Sequence, residues 1–259
     1  MNWILAISLL ILSLIFLVWV VCSFYFNDFH VSIKSVEGYK NILVIFPHPD
    51  DEIFSAGGVM ALNKRATLLI LTKGERGTED AHLDPKLKEI RSQEEIKSAG
   101  ILRVKKLIHK DYGDLGLDQK KEEIRQEISQ VINAEKPDLI ITFDPSGFDG
   151  HPDHIAVSQV VTDLIKRDFK NVPLWYTTIP KRTYDFLNPS VNLAKDKSFS
   201  KKRTFPTHKV FVGWNVIRKM TASRAQHSQY KPFMEGLPIP IPVGFVQSLT
   251  LFEYFYKVN

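Results

Sequence analysis

The chain has 259 residues, 44% of them hydrophobic, enough for a membrane anchor and one domain with its own core. Lys and Arg outnumber Asp and Glu by 34 to 29; the net charge of +5 suits an anionic lipid surface or a phosphate-bearing substrate and does not call for a nucleic-acid partner. Cys22 is the single cysteine, so no internal disulfide framework is possible, which suits a reducing compartment.

Trp3 to Phe26 carries no charged side chain. At about 1.5 Å per residue, roughly 24 residues reach about 36 Å, enough to cross the hydrocarbon of a bilayer. A cleaved signal peptide would want Lys or Arg before the apolar run and small residues at its end; neither is present. The expectation is a retained anchor over 1–27, a linker over 28–40 and one domain over 41–259. Trp3 and the stretch Trp19 to Tyr25 sit near the ends of the run, as interfacial aromatics do. Lys34 and Lys40 follow the span and no side-chain charge precedes it, which favours a cytosolic domain.

After the linker, strand and helix patterns alternate. Expected strands are Ile42–Phe46, Thr67–Thr72, Val104–His109, Leu139–Phe143 and Leu174–Thr178. Expected helices lie near Asp51–Lys64, Pro85–Ala99, Gln119–Asn133 and His151–Lys166. Such βα alternation implies an α/β fold: a Rossmann-like, doubly wound, mostly parallel sheet preceded by one transmembrane helix. Beyond Thr178 the alternation stops. A basic stretch with Lys195, Lys197, Lys201, Lys202 and Arg203 reads as a solvated loop, with a patch facing membrane or phosphate as the alternative. Ile217 to Tyr230 reads as a helix, 236–244 as a stiff Pro-rich apolar loop, and Leu249 to Val258 as a last strand.

Two polar turns stand out. Pro47-His48-Pro49-Asp50-Asp51-Glu52 leaves the first strand, and His151-Pro152-Asp153-His154 follows the fourth across Phe148-Asp149-Gly150. In the strand order 3-2-1-4-5 these two strands are neighbours, and ligands bind at their carboxyl ends. So many ionisable groups beside a buried strand need a strong partner, and a divalent metal is the simplest one. His48 and Asp51, three apart, can face one ion, and His154 can supply a third ligand. Two His and one carboxylate leave a fourth position for water, as in catalytic zinc sites; ferrous iron or another divalent ion would also suit these donors. Asp50 can then act as general base on that water, and His151 can cover an oxyanion or protonate a leaving amine. Amide hydrolysis fits best, because an amine must be protonated to leave.

The two turns together resemble the PIG-L/LmbE family of metal-dependent N-deacetylases. Leu71-Thr72-Lys73-Gly74-Glu75-Arg76-Gly77 is similar to the family's T-x-G-E-x-G loop, Arg91-Ser92-Gln93-Glu94 to its R-x-x-E helix, and Asp114 falls at the aspartate after strand three. Ala225-Gln226-His227-Ser228-Gln229 and Glu253-Tyr254-Phe255 resemble its closing segments. The resemblance implies zinc-dependent removal of acetyl from an N-acetylglucosamine-type glycoconjugate, lipid-linked or phosphorylated. It implies His48, Asp51 and His154 as metal ligands, Asp50 as base, His151 as transition-state partner, and Arg91 and Asp114 on the sugar. Two rivals from other classes are a Rossmann-like glycosyltransferase, for which Ser55-Ala56-Gly57-Gly58 is a faint nucleotide signal, and a non-catalytic sugar-binding protein.

Overall fold

The structure is a computed structural model that describes residues 2–77, 85–187, 198–235 and 242–259. Its elements in order are α1 (Asn2–Phe26), β1 (Ser32–Ile33), β2 (Ile42–Phe46), α2 (Asp51–Asn63), β3 (Thr67–Ile70), α3 (Pro85–Ile101), β4 (Lys106–His109), α4 (Lys121–Glu135), β5 (Leu139–Phe143), α5 (Gly147–Gly150), α6 (Pro152–Arg167), β6 (Leu174–Thr178), α7 (Lys181–Leu187), β7 (His208–Phe211), α8 (Val216–Ala225), α9 (His227–Glu235), α10 (Val243–Ser248) and β8 (Phe252–Lys257). Lys195 and Lys197 of the basic stretch, and 236–241 of the Pro-rich loop, lie outside the described residues.

Among the described residues the eight strands form one sheet, ordered β1-β7-β8-β6-β5-β2-β3-β4. The expected order appears inside it as β4-β3-β2-β5-β6, all parallel. β2 and β5 are buried at every position, which is why they read as unbroken apolar runs rather than alternating ones. One apolar layer, with Phe46, Ile53 and Trp175, covers one face; another, with Leu69, Ile128 and Val160, covers the other.

Several boundaries differ from expectation. β3 ends at Ile70, and β4 begins only at Lys106. The expected helix over 217–230 is two helices, α8 and α9, separated at Gln226, whose ψ of 60° breaks the helical path. The closing strand β8 runs antiparallel between β6 and β7, so the sheet is mixed at this side. The stretch 28–40 is laid against the domain rather than hanging free: Ser32 and Ile33 pair with β7.

Gly58 is required by packing inside α2. A Cβ on Gly58 would lie 2.5 Å from Val212 Cγ1, and its N–H donates to Glu253 Oε1 at 2.8 Å. Glu253 also accepts from Val59 N–H at 2.8 Å and pairs with Lys219 Nζ at 2.6 Å. Both partners of that ion pair are only 3% exposed. Removing the cation alone strands a buried carboxylate, so Lys219→Met should lower stability by roughly 3 kcal/mol, read as a shift of the urea midpoint; an unchanged midpoint would show that the pair carries no net weight.

Candidate metal centre

The site lies at the carboxyl ends of β2 and β5, where the chain turns towards opposite faces of the sheet. Each turn is built by strained backbone. Asp50, the residue before α2, has φ 87°, and Phe148 within α5 has φ 64°, both in the left-handed region that non-glycine residues seldom occupy. Such strain costs on the order of 1–3 kcal/mol per residue and persists where a site over-determines the backbone. Gly147 has φ 64° as well, and a Cβ there would lie 2.9 Å from His154 Cβ. That close approach brings the Gly147 carbonyl to 2.9 Å from His154 Nδ1.

Four donor atoms on three side chains converge. His48 Nδ1 lies 3.2 Å from His154 Nε2. Asp51 Oδ2 lies 3.4 Å from the first, and Asp51 Oδ1 3.4 Å from the second. Ligands about 2.0–2.1 Å from a tetrahedral zinc are separated by roughly 3.3–3.4 Å, close to these three separations, with one Asp51 oxygen facing each imidazole. His48, His151 and His154 form a looser group, with one ligand atom from each within 4.8 Å of one another, and His48, Asp114 and Asp153 form another.

The second ring nitrogen of each imidazole is held from behind. His48 Nε2 faces Asp114 Oδ1 at 3.1 Å and Asp153 Oδ2 at 3.3 Å. His154 Nδ1 faces Asp149 Oδ1 at 3.2 Å besides the Gly147 carbonyl. These acceptors take the N–H and turn the other lone pair inward, the carboxylate–histidine arrangement that supports metal ligands. Asp153 in turn accepts from Leu115 N–H at 2.8 Å and Leu117 N–H at 3.0 Å, which ties the loop after β4 to the site.

The electrostatics ask for positive charge. Burial opposes charge on His48, yet Asp114, Asp153 and Asp51 hold its pKa well above the ordinary imidazole value. Burial likewise opposes charge on His154, but Asp51 and Asp149 push it up to about 9. Without an ion the surrounding carboxylates favour proton uptake by this imidazole pair, a role a divalent cation would take over.

Asp50 stands apart from these donors. Burial, and then the charge of Asp51, work against the pull of Arg91 and bring its pKa up to about 7. Arg91 does not open to solvent. It is 3% exposed and donates to Asp50 Oδ2 and the Pro49 carbonyl, each at 2.6 Å, and to the Gly74 carbonyl at 2.9 Å. The resemblance expects Arg91 and Asp114 on a sugar; in the structure Arg91 clamps Asp50 and Asp114 backs His48. Asp114 also accepts from Arg76 N–H at 3.1 Å, and its side chain is 6% exposed.

His151 is the residue before α6, and its Nδ1 accepts the Asp153 N–H at 3.2 Å. His151 thus caps α6 through this nitrogen. Capping occupies Nδ1 as acceptor and leaves the proton on Nε2. Burial and the neighbouring charges of His154 and His48 lower its pKa to about 3, so the ring stays neutral.

With this geometry in hand, residues 43–165 match the PIG-L family, described as GlcNAc-PI de-N-acetylase. The match takes in a little under half of the 259-residue chain. The PIG-L segment runs from β2 to α6 and so contains both metal turns. The chain is 40% identical over 136 residues to a diacetylchitobiose deacetylase of Thermococcus kodakarensis, a match covering 49% of each chain. The chain thus spans about half the length of that curated relative. Among solved structures, N,N'-diacetylchitobiose deacetylase from Pyrococcus horikoshii superposes with a TM-score of 0.58 at 22% identity, covering 85% of this chain and 84% of that one. The 4-carboxy-2-hydroxymuconate hydratase GalB superposes nearly as well, at 0.57 with 14% identity, covering 85% and 96%. The likeness to both structures therefore establishes the fold alone.

Asp149 and Asp153 were legible as part of a motif but not as the groups behind the imidazoles. Asp153→Asn removes the carboxylate facing His48 Nε2 without changing side-chain size. It should weaken divalent-metal affinity about 10- to 100-fold in a chelator competition, whereas an unchanged affinity would remove Asp153 from the support of the site.

Proposed function

We propose that the protein is a membrane-anchored, zinc-dependent N-deacetylase that removes acetyl from an N-acetylglucosamine-type glycoconjugate, lipid-linked or phosphorylated. The observation that carries this reading is the convergence of His48 Nδ1, the two Asp51 carboxylate oxygens and His154 Nε2, at separations of 3.2–3.4 Å. The PIG-L match across both turns supports N-deacetylation, and the relative's printed name supports an acetylated amino sugar. His and carboxylate donors fit zinc; ferrous iron fits the same set. The apolar, exposed α1, with a span of 24 residues at mean hydropathy 3.1, supports the anchor. Lys34 and Lys40 beyond it support a cytosolic domain.

His48, Asp51 and His154 would hold the metal, which when bound polarises an amide carbonyl and acidifies its water. The chain's own groups do the rest. Asp50 takes the water proton, and Arg91 fixes the carboxylate that must receive it. Neutral His151, with its proton on Nε2, donates a hydrogen bond to the developing oxyanion. The proton gathered by Asp50 is then available to the departing amine. On this reading Arg91 and Asp114 act on the sugar only indirectly, through Asp50 and His48.

Asp50→Asn should leave metal content unchanged and cut kcat by roughly 10²–10⁴-fold on a panel of N-acetylglucosamine conjugates assayed by amine release. Retained turnover would remove Asp50 as base, and absence of turnover by the parent protein across the panel would count against deacetylation itself. The base must be ionised, so kcat/KM should rise with pH and level off above its pKa. Asp50 is held at about 7 without an ion, and a bound cation pulls it lower, so the acidic limb should fall at or below about 7. Arg91 lowers that pKa, so Arg91→Met should move the limb to higher pH; a limb that stays put would separate Arg91 from the base.

A further inference from the structure

The foot of α1 is bolted to the domain rather than tethered. Trp19 Nε1–H donates to Ser248 Oγ at 3.1 Å. Asn27 Nδ2 donates to the Leu249 carbonyl at 2.7 Å, and Thr183 Oγ1 donates to the Phe26 carbonyl at 2.9 Å. The Phe26 and Phe186 rings meet edge to face at 4.9 Å, and Asp28 N–H donates to the Tyr254 hydroxyl at 2.7 Å. A free tether would make none of these contacts, and each removes a direction in which the domain could swing.

The place of attachment matters as much as its rigidity. α7 leaves the carboxyl end of β6, and Ser248 and Leu249 precede β8, which runs antiparallel to it. Both therefore lie at the sheet edge where β2 and β5 present His48, Asp51 and His154. β2, β5, β6 and β8 are successive neighbours, so about three strand spacings, roughly 14 Å, separate the metal turns from the anchored region. A side-chain contact also bridges the gap. Tyr184 of α7 meets the Phe148 ring edge-on at 6.2 Å, and Phe148 sits between Gly147 and Asp149, the two residues that face His154 Nδ1.

From this attachment we infer that the metal-bearing edge of the sheet lies against the headgroup layer of the bilayer that receives α1, so that the site acts on acetylated glycoconjugates held in the same leaflet. The inference rests on reading α1 as a bilayer span. A cleft of about 530 Å³ opens at the junction, lined by Tyr25, Asn27, Asp28, Lys181, Arg182 and Asp185. Its paired cations and carboxylates match the mixed charge of phospholipid headgroups, and Arg182 lies 5.1 Å over the Tyr25 ring at the end of the apolar run. The substrate amide would then be reached from the interface, not from bulk water.

The test uses the full chain in phospholipid vesicles whose acyl chains are brominated next to the headgroup. In a Cys22→Ser background, a fluorophore is attached to Lys181→Cys beside the anchor, to Arg65→Cys before β3 at the opposite edge, or to Leu10→Cys inside α1. The label at 181 should lose most of its emission relative to unbrominated vesicles while the label at 65 keeps its own. Equal emission at 181 and 65 would overturn the inference. The label at 10, read with bromine placed deep in the chains, separates the two failures. Quenching there with none at 181 sinks the edge-on orientation alone, and no quenching there sinks the span itself.

Discussion

A surplus of negative charge, most of it shielded from solvent, governs this protein. Asp50, Asp51, Asp114, Asp149 and Asp153 surround three imidazoles at the end of two central strands. Left alone, such a group would repel itself apart or soak up protons, and the carboxylates around His48 and His154 push both imidazole pKa values upward. A divalent ion resolves the same conflict without protons. The strained backbone at Asp50 and Phe148, the glycine at 147 and the buried clamp of Arg91 all serve to keep donors where that ion would sit.

The sheet makes the arrangement possible. Parallel strands bring the ends of β2 and β5 side by side although 97 positions separate Phe46 from Phe143. Their complete burial fixes the register, because slipping one strand would misplace every donor beyond it. The antiparallel β8 then returns through the same layer and delivers Glu253 to the amides of α2, which bolts the helix that begins at Asp51. The helix α1, the sheet edge and the two polar turns thus belong to one mechanical unit.

Much of this was legible in the sequence because its signals are local. An unbroken apolar run followed by His48, Asp50 and Asp51 reads as a strand and a turn crowded with ionisable groups with no knowledge of the rest. The order of β4-β3-β2-β5-β6 follows from topology rules that hold across open α/β sheets. What stayed hidden depends on distant partners. Ser32–Ile33 and His208–Phe211 are too short to announce a sheet edge, and they exist because they pair with each other and with β8. Arg91 on a polar helix looks like a surface charge until Pro49, Asp50 and Gly74 are seen to enclose it. The roles of Asp149 and Asp153 turn on which ring nitrogen each one faces, and spacing alone carries no such information.

The central claim is that one ion is shared by two imidazoles and one carboxylate. X-ray absorption at the metal edge of the purified full-length protein addresses it directly. The account predicts a low-coordinate site of nitrogen and oxygen neighbours at about 2.0–2.1 Å, with imidazole scattering that falls by half in His154→Ala. A protein that retains no metal, or an all-oxygen shell indifferent to that substitution, would contradict it.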